Sequence, residues 1–315
     1  MNKRRSFITG IKSKSLSVQE KKFLKKYKPW GVILFSRNLK SIFQTKKLTT
    51  EIRKIFDDDN YPILIDQEGG RVNRLNKFFN TDLVTSEYFG NLYLKNKVKF
   101  ENIFQLFINK TSYLLKLIGV NVNTVPVLDV RVKGASNIIG DRSFSNNPKI
   151  VSKIGNICIK NFHKQRIGTV IKHIPGHGLA KVDSHKATPT VKTKYAQLIK
   201  NDFAPFKNKK SLLAMTAHII YQDIDNLNTA THSKKVIYLI RNNIMFKGIL
   251  MSDDISMKSL KYSLKQNTQK AFDAGCDIVL HCNGNLKEML IVAKNTPMLS
   301  KFIIKKTSQF YKVLS

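Results

Sequence analysis

The chain of 315 residues is 42% hydrophobic and contains 19 phenylalanines, so it can bury a large core and is not a disordered chain. No stretch reaches the roughly 18 apolar residues of a membrane-spanning helix, and the amino terminus lacks the apolar segment of a signal peptide, which predicts a cytoplasmic protein without a membrane partner. Its 55 Lys and Arg against 21 Asp and Glu give a net charge of +34, but these basic residues are spread along the chain, which favours a solvated surface over a nucleic-acid-binding one.

Short apolar runs rich in β-branched residues recur along the chain with helical patterns between them, which is typical of parallel βα units. Eight strands are predicted: Ser6–Ile11, Gly31–Phe35, Pro62–Asp66, Val122–Asp129, Thr169–Ile174, Leu212–Ala217, Gly248–Asp253 and Asp277–Cys282. Ser17 and Glu20 form a capping box that predicts a helix after the first strand, and Pro148 begins another helical pattern. The chain is therefore predicted to have an α/β fold, a single (β/α)8 TIM barrel over residues 1–315, with a doubly wound open sheet as the alternative.

Polar side chains capable of chemistry end nearly every predicted strand. They are Asp66, Asp129, Lys172 with His173, His218, Asp253 and Asn283. In a barrel the carboxyl ends of all strands meet on one face, and barrel enzymes have their active sites there. This distribution favours the closed barrel over the open sheet and predicts an active site at that face.

The segment Leu64–Arg74 continues from a buried strand into two acids, a glycine pair and two arginines. Asp66 at the strand end can accept hydrogen bonds from two sugar hydroxyl groups, and the glycines allow the backbone to approach a ligand closely. The alternative is that Asp66 forms a structural ion pair with an arginine of the same loop. This segment alone does not distinguish the two interpretations.

The segment Ile171–Gly178 places two histidines and a lysine around glycines and is followed by a third histidine, His185. Metal binding is one interpretation, but Lys172 beside His173 would repel a cation, the H-x-x-x-H spacing of a zinc helix is absent, and the three cysteines are scattered. Asp183 lies two residues before His185, so its carboxylate can fix one imidazole nitrogen and leave the other to transfer a proton. The pair is a candidate acid/base dyad.

The segment Gly248–Met257 ends a predicted strand in two consecutive aspartates. Side chains alternate along a strand, so only one of Asp253 and Asp254 can face the centre of the barrel mouth. A carboxylate there, without a metal motif to occupy it, is a candidate nucleophile for the anomeric carbon of a sugar. Asp254 fits better as a capping residue after the strand.

Together, the segments resemble the β-N-acetylhexosaminidases of glycoside hydrolase family 3 from about Gly31 to Asn283. The resemblance also rests on the motifs Pro126–Val130, Gly140–Phe144 and Ala217-His218. It implies one catalytic (β/α)8 domain without metal or organic cofactor, and release of N-acetylglucosamine with retained stereochemistry. It further implies Asp253 as the nucleophile, His185 as the acid/base and Asp183 as the partner of that histidine. The implied sugar-binding residues are Asp66, Arg74, Arg142, Lys172 and His173.

The family resemblance implies a small carbohydrate substrate, namely muropeptide fragments that carry N-acetylglucosamine on an anhydro sugar, and we expect a monomer to bind them. A phosphorylase is an alternative enzyme, because a histidine acid/base has no negative charge that would repel phosphate. The alternative from another class is a basic nucleic-acid-binding protein on a barrel scaffold, which only the charge of +34 suggests.

Overall fold

The computed structural model describes residues 3–184 and 187–314 and forms a closed barrel of parallel strands. The barrel strands are β1 (Arg5–Gly10), β2 (Pro29–Leu34), β3 (Ile63–Ile65), β4 (Val122–Asn123), β5 (Gly168–Ile174), β6 (Leu213–Thr216), β7 (Ile249–Asp254) and β8 (Ile278–His281). Each strand pairs with the strands before and after it in the chain, and β8 pairs with β1. This confirms the predicted (β/α)8 barrel and excludes the open sheet, which would leave two edge strands.

Helices connect the strands on the outside of the barrel. The described helices of six or more residues are α1 (Val18–Tyr27), α2 (Ile42–Phe56), α3 (Ser86–Lys95), α4 (Lys97–Leu117), α5 (Pro148–Lys164), α6 (Tyr195–Lys200), α7 (Lys234–Asn242), α8 (Leu264–Ala274), α9 (Leu286–Lys294) and α10 (Lys301–Leu314). Among the described residues, no helix combines the length and the apolar character needed to cross a bilayer.

The starts of two helices follow the predicted capping signals. The Ser17 side chain accepts a hydrogen bond from the Glu20 backbone N–H at 3.1 Å, and the Glu20 side chain accepts one from the Ser17 backbone N–H at 2.9 Å. This reciprocal pair satisfies two backbone donors that the first turn of α1 leaves free. Asn147 caps α5, and Pro148 is its first residue, a position where a missing N–H costs nothing.

The fourth strand is shorter than predicted. It was expected to extend to Asp129, but regular pairing ends at Asn123. Pro126 has no N–H to donate to a neighbouring strand, which interrupts the ladder. Beyond it the chain follows β5 through irregular contacts, such as the hydrogen bond from Leu128 N to Lys172 O at 2.8 Å. These contacts keep the segment at the barrel rim, beside the carboxyl end of β5.

Apolar side chains fill the barrel and the layer between barrel and helices, because parallel strands bury both faces. The interior cluster includes Ile8, Ile33, Leu64, Val122, Val170, Leu213, Ile249 and Ile278 from the eight strands. Ile303 and Phe310 of α10 belong to the same cluster, and the Trp30 indole N–H donates to Thr307 Oγ1 at 2.8 Å. Helix α10 therefore covers the amino-terminal end of the barrel, and the carboxyl end remains open for a site.

Candidate active site

A cavity with about 170 Å³ of solvent-accessible space lies at the carboxyl ends of the barrel strands. Six of the eight predicted site residues line this active-site cavity: Asp66, Arg74, Arg142, Lys172, His173 and Asp253. A larger cavity of about 550 Å³ lies at the opposite end, among the loops that precede β3, β4 and β5. Barrel enzymes carry catalytic residues at the carboxyl face, so we take the smaller cavity as the candidate active site.

Asp66 follows β3 directly and makes three polar contacts at the cavity. The Lys172 ammonium lies 3.1 Å from Asp66 Oδ1, the Arg74 guanidinium lies 3.4 Å from Oδ2, and the Thr124 hydroxyl also donates to Oδ1. The structural ion pair with an arginine is therefore present. Asp66 nevertheless borders the cavity, so bracing the loop and binding a hydroxyl group are compatible roles for this side chain.

Glu68 contacts a third cation of the site, Arg142, and shares Lys172 with Asp66. Its carboxylate accepts two hydrogen bonds from Arg142, at 2.8 and 2.9 Å, and lies 2.7 Å from the Lys172 ammonium. Burial raises the pKa of Glu68 and of Asp66, but the adjacent cations outweigh burial and hold both pKa values below their ordinary range. We call these side chains the ionic cluster: Asp66, Glu68, Arg74, Arg142 and Lys172. With two carboxylates and three cations, the ionic cluster carries one net positive charge.

His173 is held by a fully buried carboxylate. The Asp129 carboxylate lies 2.7 Å from His173 Nδ1 and also accepts a hydrogen bond from the His173 backbone N–H, at 3.1 Å. Burial raises the pKa of Asp129, but the charge and hydrogen bonds of His173, together with His177, outweigh burial, so the pKa lies below its ordinary value. With a proton on Nδ1, His173 donates a hydrogen bond to Asp129, and its Nε2 atom remains available to a ligand in the cavity.

Asp253 ends β7 at the cavity, and its carboxylate accepts a hydrogen bond from the Asp254 backbone N–H at 2.8 Å. Burial raises the pKa of Asp253, but His218 and His173 outweigh burial, so the pKa lies below its ordinary value. An ionised carboxylate is the form that can attack an electrophilic carbon. Asp254 instead accepts from the backbone N–H and hydroxyl of Ser256, at 3.0 and 2.8 Å, which is an Asx turn rather than a helix cap.

The loop after β5 leads from His173 towards the predicted dyad. His177 and Ser184 line the cavity and are both buried, and His177 Nε2 lies 3.2 Å from Ser184 Oγ. Asp183 is half-buried, and its carbonyl oxygen accepts a hydrogen bond from the Ala187 backbone N–H at 3.1 Å. His185, the predicted acid/base, lies outside the described residues.

The comparisons with known proteins agree with this geometry. Residues 8–308 match the family described as "Glycosyl hydrolase family 3 N terminal domain". The chain belongs to glycosyl hydrolase family 3. It is 32% identical to a β-hexosaminidase of Thioalkalivibrio sulfidiphilus, with 88% of this chain and 80% of that protein covered. It is also 32% identical to a β-hexosaminidase of Neisseria meningitidis serogroup C, with 88% and 77% covered.

Solved structures of family 3 enzymes have the same fold. NagZ from Neisseria gonorrhoeae in complex with a zinc ion superposes with a TM-score of 0.87 at 28% identity, covering 98% of this chain and 90% of that one. NagZ from the same organism in complex with N-trifluoroacetyl-D-glucosamine gives 0.82 at 27% identity, covering 99% and 98%. The identification of this chain as a family 3 glycosidase that resembles the β-N-acetylhexosaminidases is confirmed.

Within residues 3–184 and 187–314, no group of three or more His, Cys, Asp and Glu side chains is arranged to hold a metal ion. The histidines of the family 3 site have other partners. His173 contacts Asp129, and His177 contacts Ser184. The residues present at the cavity are therefore suited to proton transfer and to hydrogen bonding of hydroxyl groups.

Three predicted strand-end residues do not line the cavity of this family 3 enzyme: Asp129 contacts it through His173, and His218 and Asn283 have other partners. His218 lies 2.7 Å from Thr231 Oγ1 and 3.0 Å from the Asp254 carbonyl oxygen, so both its ring nitrogens are used within the protein. Asn283 donates to Glu288. The site residues to which the sequence assigned no role are Glu68, Thr124, Asp129, His177 and Ser184. Asp129 was predicted at a strand end, Glu68 and His177 lie in predicted segments, and Thr124 and Ser184 have no sequence signal beyond being polar residues close to a predicted one.

Proposed function

We propose that the protein is a retaining β-N-acetylglucosaminidase that removes terminal N-acetylglucosamine from peptidoglycan fragments, with or without attached peptide, in cell-wall recycling. The observation that carries this proposal is that the predicted nucleophile, Asp253, shares one small cavity with five side chains suited to binding a sugar. Relatives named β-hexosaminidase and a NagZ structure with a glucosamine derivative support N-acetylglucosamine as the sugar.

Asp253 is the proposed nucleophile. Its ionised carboxylate attacks the anomeric carbon while the glycosidic oxygen leaves with a proton, which gives a covalent glycosyl-enzyme. Water then attacks the same carbon, loses a proton and releases Asp253. Each step inverts the configuration at the anomeric carbon, so the product retains the configuration of the substrate.

The proposed proton donor and acceptor is His185, with Asp183 as its partner. This role is supported by the two-residue spacing in the sequence and by the position of Ser184, which lies between them and lines the cavity. In the first step the imidazolium protonates the leaving oxygen, and in the second the neutral imidazole accepts a proton from water. Asp183 would stabilise the imidazolium that must form in each cycle.

The proposed sugar-binding residues are Asp66, Arg74, Arg142, Lys172 and His173. The Asp66 carboxylate accepts hydrogen bonds from ring hydroxyl groups, and the cations Lys172 and Arg142 donate to hydroxyl and carbonyl oxygens. The ion pairs with Glu68 hold these two cations in place before the substrate arrives. A site organised in this way loses little free energy to side-chain ordering when it binds a sugar.

Asp253→Asn tests the proposed nucleophile with 4-nitrophenyl N-acetyl-β-D-glucosaminide. We expect the unmutated protein to hydrolyse this substrate far faster than the matching glucoside, and Asp253→Asn to lower kcat by at least about 1,000-fold. Asp254→Asn is the matched control, because Asp254 contacts Ser256 in a turn. Nuclear magnetic resonance spectra of the first product should show the β-anomer. An unchanged rate in Asp253→Asn would contradict the proposal.

The same assay in phosphate buffer distinguishes hydrolysis from phosphorolysis. We expect free N-acetylglucosamine as the only sugar product at every phosphate concentration. Formation of a sugar 1-phosphate would instead show that phosphate attacks the glycosyl-enzyme, and the proposed hydrolase would then be a phosphorylase on the same site.

We further propose that residues 1–315 act as one catalytic domain and as a monomer. The family match over residues 8–308 supports the single domain, because it spans nearly the whole chain. Analytical ultracentrifugation at the concentration of the assay should give the mass of one chain, 36.1 kDa. A dimer mass at that concentration would contradict the monomer.

A further inference from the structure

The loop after β5 lies against a buried carboxyl group that the proposed reaction does not use. Asp202 is 1% exposed and follows α6. A methyl group added to Gly176 would lie 2.7 Å from Asp202 Cγ, and one added to Gly178 would lie 3.0 Å from Asp202 Oδ1. Only glycine at these two positions allows the backbone and the carboxyl group to approach this closely.

The Asp129 carboxylate and the Tyr221 hydroxyl contact the same segment of the loop, Gly176–Gly178. Asp129 Oδ1 accepts a hydrogen bond from the His177 backbone N–H at 2.7 Å, and the Tyr221 hydroxyl donates to the Gly176 carbonyl oxygen. His177 in turn places its Nε2 atom 3.2 Å from Ser184 Oγ. The first and last parts of the loop are thus joined through His177, whose backbone is fixed on both sides by buried groups.

We propose that Asp202 is a positioning residue for this loop: its buried carboxyl group packs closely against Gly176–Gly178 and keeps them in the arrangement in which His177 contacts Ser184. The inference rests on the proposed function, because Ser184 lies between Asp183 and His185, the proposed acid/base dyad. Asp202 acts through the loop backbone and does not line the described wall of the active-site cavity.

The charged groups around Asp202 make the packing of its carboxyl group against Gly176–Gly178 depend on pH. Burial and the charge of Asp129 raise the pKa of Asp202 well above its ordinary value, and the Gly178 backbone N–H opposes them only in part. The other titratable neighbour, Tyr221, is neutral because burial raises its own pKa. The raised pKa favours the protonated carboxyl group in the folded protein, and ionisation at higher pH would place a second negative charge beside Asp129.

Asp202 also borders a second cavity, separate from the active-site cavity. Among the described residues that line this second cavity, none supplies a cation that compensates the Asp202 carboxyl group. Arg131 borders that cavity but pairs with Glu87, and Lys133 is exposed to solvent. Because the folded protein favours the protonated form, stability is full below the ordinary Asp pKa and is lost as pH rises through the raised pKa. The same rise in pH should weaken the packing of Gly176–Gly178 against Asp202.

Asp202→Ala and Asp202→Asn test the positioning role through the leaving-group dependence of the rate. We expect Asp202→Ala to lower kcat/KM, which reports the glycosylation step, about 100-fold for phenyl N-acetylglucosaminide, whose leaving group needs protonation, and little for the 2,4-dinitrophenyl substrate, whose leaving group departs without a proton. The KM should change less than kcat, because the sugar-binding residues lie elsewhere. Asp202→Asn should restore most of the lost rate. Asp273→Asn, at an exposed aspartate of α8, is the matched control and should match the unmutated protein.

The pH profile gives the second readout. Asp202→Asn has no carboxyl group to ionise at this position, so both its kcat on the phenyl substrate and its thermal midpoint should persist to higher pH than in the unmutated protein and in Asp273→Asn. Equal losses with both leaving groups in Asp202→Ala, or an unchanged pH dependence in Asp202→Asn, would overturn the inference. If the unmutated protein cleaved no N-acetylglucosaminide, the proposed function would fail, and the pH dependence of the thermal midpoint would still test Asp202.

Discussion

Glu68 is the residue at which the ion pairs of the site converge. Its side chain is 3% exposed and contacts Arg142 through two hydrogen bonds and Lys172 through an ion pair. Removing its charge would leave the buried Arg142 without its carboxylate partner and Lys172 with Asp66 alone, and an uncompensated buried charge is far more costly than a lost surface contact. Glu68 thus stabilises the fold and keeps the proposed sugar-binding cations in place.

The change Glu68→Gln should lower the free energy of unfolding by about 3–5 kcal/mol, measured by urea denaturation at pH 7. The control is Glu87→Gln, which breaks the Glu87–Arg131 pair, whose side chains are 37% and 45% exposed. An exposed pair contributes less than about 1 kcal/mol, so this variant should be nearly as stable as the unmutated protein. Equal losses in the two variants would contradict the assigned role of Glu68.

Lowering the pH should remove the stabilisation that the Glu68 carboxylate gives the unmutated protein. The pKa of Glu68 is lower in the folded state than its ordinary value, so its stabilisation is present above the ordinary value and is lost as pH falls through the range down to about 2. The stability difference between the unmutated protein and Glu68→Gln should shrink over that range. A constant difference in urea denaturation at pH 7, 4 and 3 would argue against this assignment.

The sequence predicts the residues at strand ends better than the residues that support them. Asp66, Lys172 and Asp253 follow apolar runs directly, so the barrel brings them together as soon as its strands are recognised. Glu68 and Thr124 owe their roles to partners from distant segments, which no local pattern shows. His218 was misjudged for the same reason, since its partners Thr231 and the Asp254 carbonyl become neighbours only in the fold.

At the scale of elements, α10 has a role that its sequence pattern did not show. Its buried residues join the cluster inside the barrel, and the Trp30 and Phe310 rings lie with centroids 6.3 Å apart. Adding a methyl group to Gly168, the first residue of β5, would place it 2.3 Å from the Phe310 ring. Helix α10 therefore seals the amino-terminal end of the barrel by close packing.

The change Thr307→Val tests this seal, because it removes the acceptor of the buried Trp30 indole N–H and keeps the side-chain shape. Leaving that donor unpaired should cost about 1–3 kcal/mol of unfolding free energy. The fluorescence of Trp30, the single tryptophan of the chain, should change as well. Ser308→Ala is the control on the same helix, since Ser308 is exposed, and it should alter stability by less than about 0.5 kcal/mol. Equal stability of Thr307→Val and the unmutated protein would contradict the seal.

The order of the strands could be predicted because each predicted strand is an apolar run, and helices α1 and α5 have their own start signals. The extent of β4 could not be predicted, because its apolar pattern continues beyond Asn123, where the regular ladder ends shortly before Pro126. The place of α10 inside the barrel end could not be predicted either. Its apolar residues are compatible with packing on the outside, and only the closed sheet creates the opening that it fills.

At the scale of the whole molecule, the charge of +34 sets a long-range field around the enzyme. The ionic cluster at the cavity adds only one net positive charge, so most of this field comes from the surface. Peptidoglycan fragments with attached peptides carry carboxylates and would be attracted, whereas an uncharged aryl glycoside would not. The field would raise the rate of encounter without changing the chemistry at Asp253.

The value of kcat/KM for an anionic muropeptide fragment should therefore fall as sodium chloride rises from 10 to 150 mM, where the screening length shortens from about 30 Å to about 8 Å. For neutral 4-nitrophenyl N-acetyl-β-D-glucosaminide, kcat/KM should stay nearly constant over the same range, which makes it the control for salt effects on the fold. Since the field acts on encounter, kcat for the muropeptide should also stay constant. Parallel salt dependence of kcat/KM for the two substrates would show that surface charge does not capture substrate, and tight salt-dependent binding to a DNA duplex would then point to a polyanion as its target.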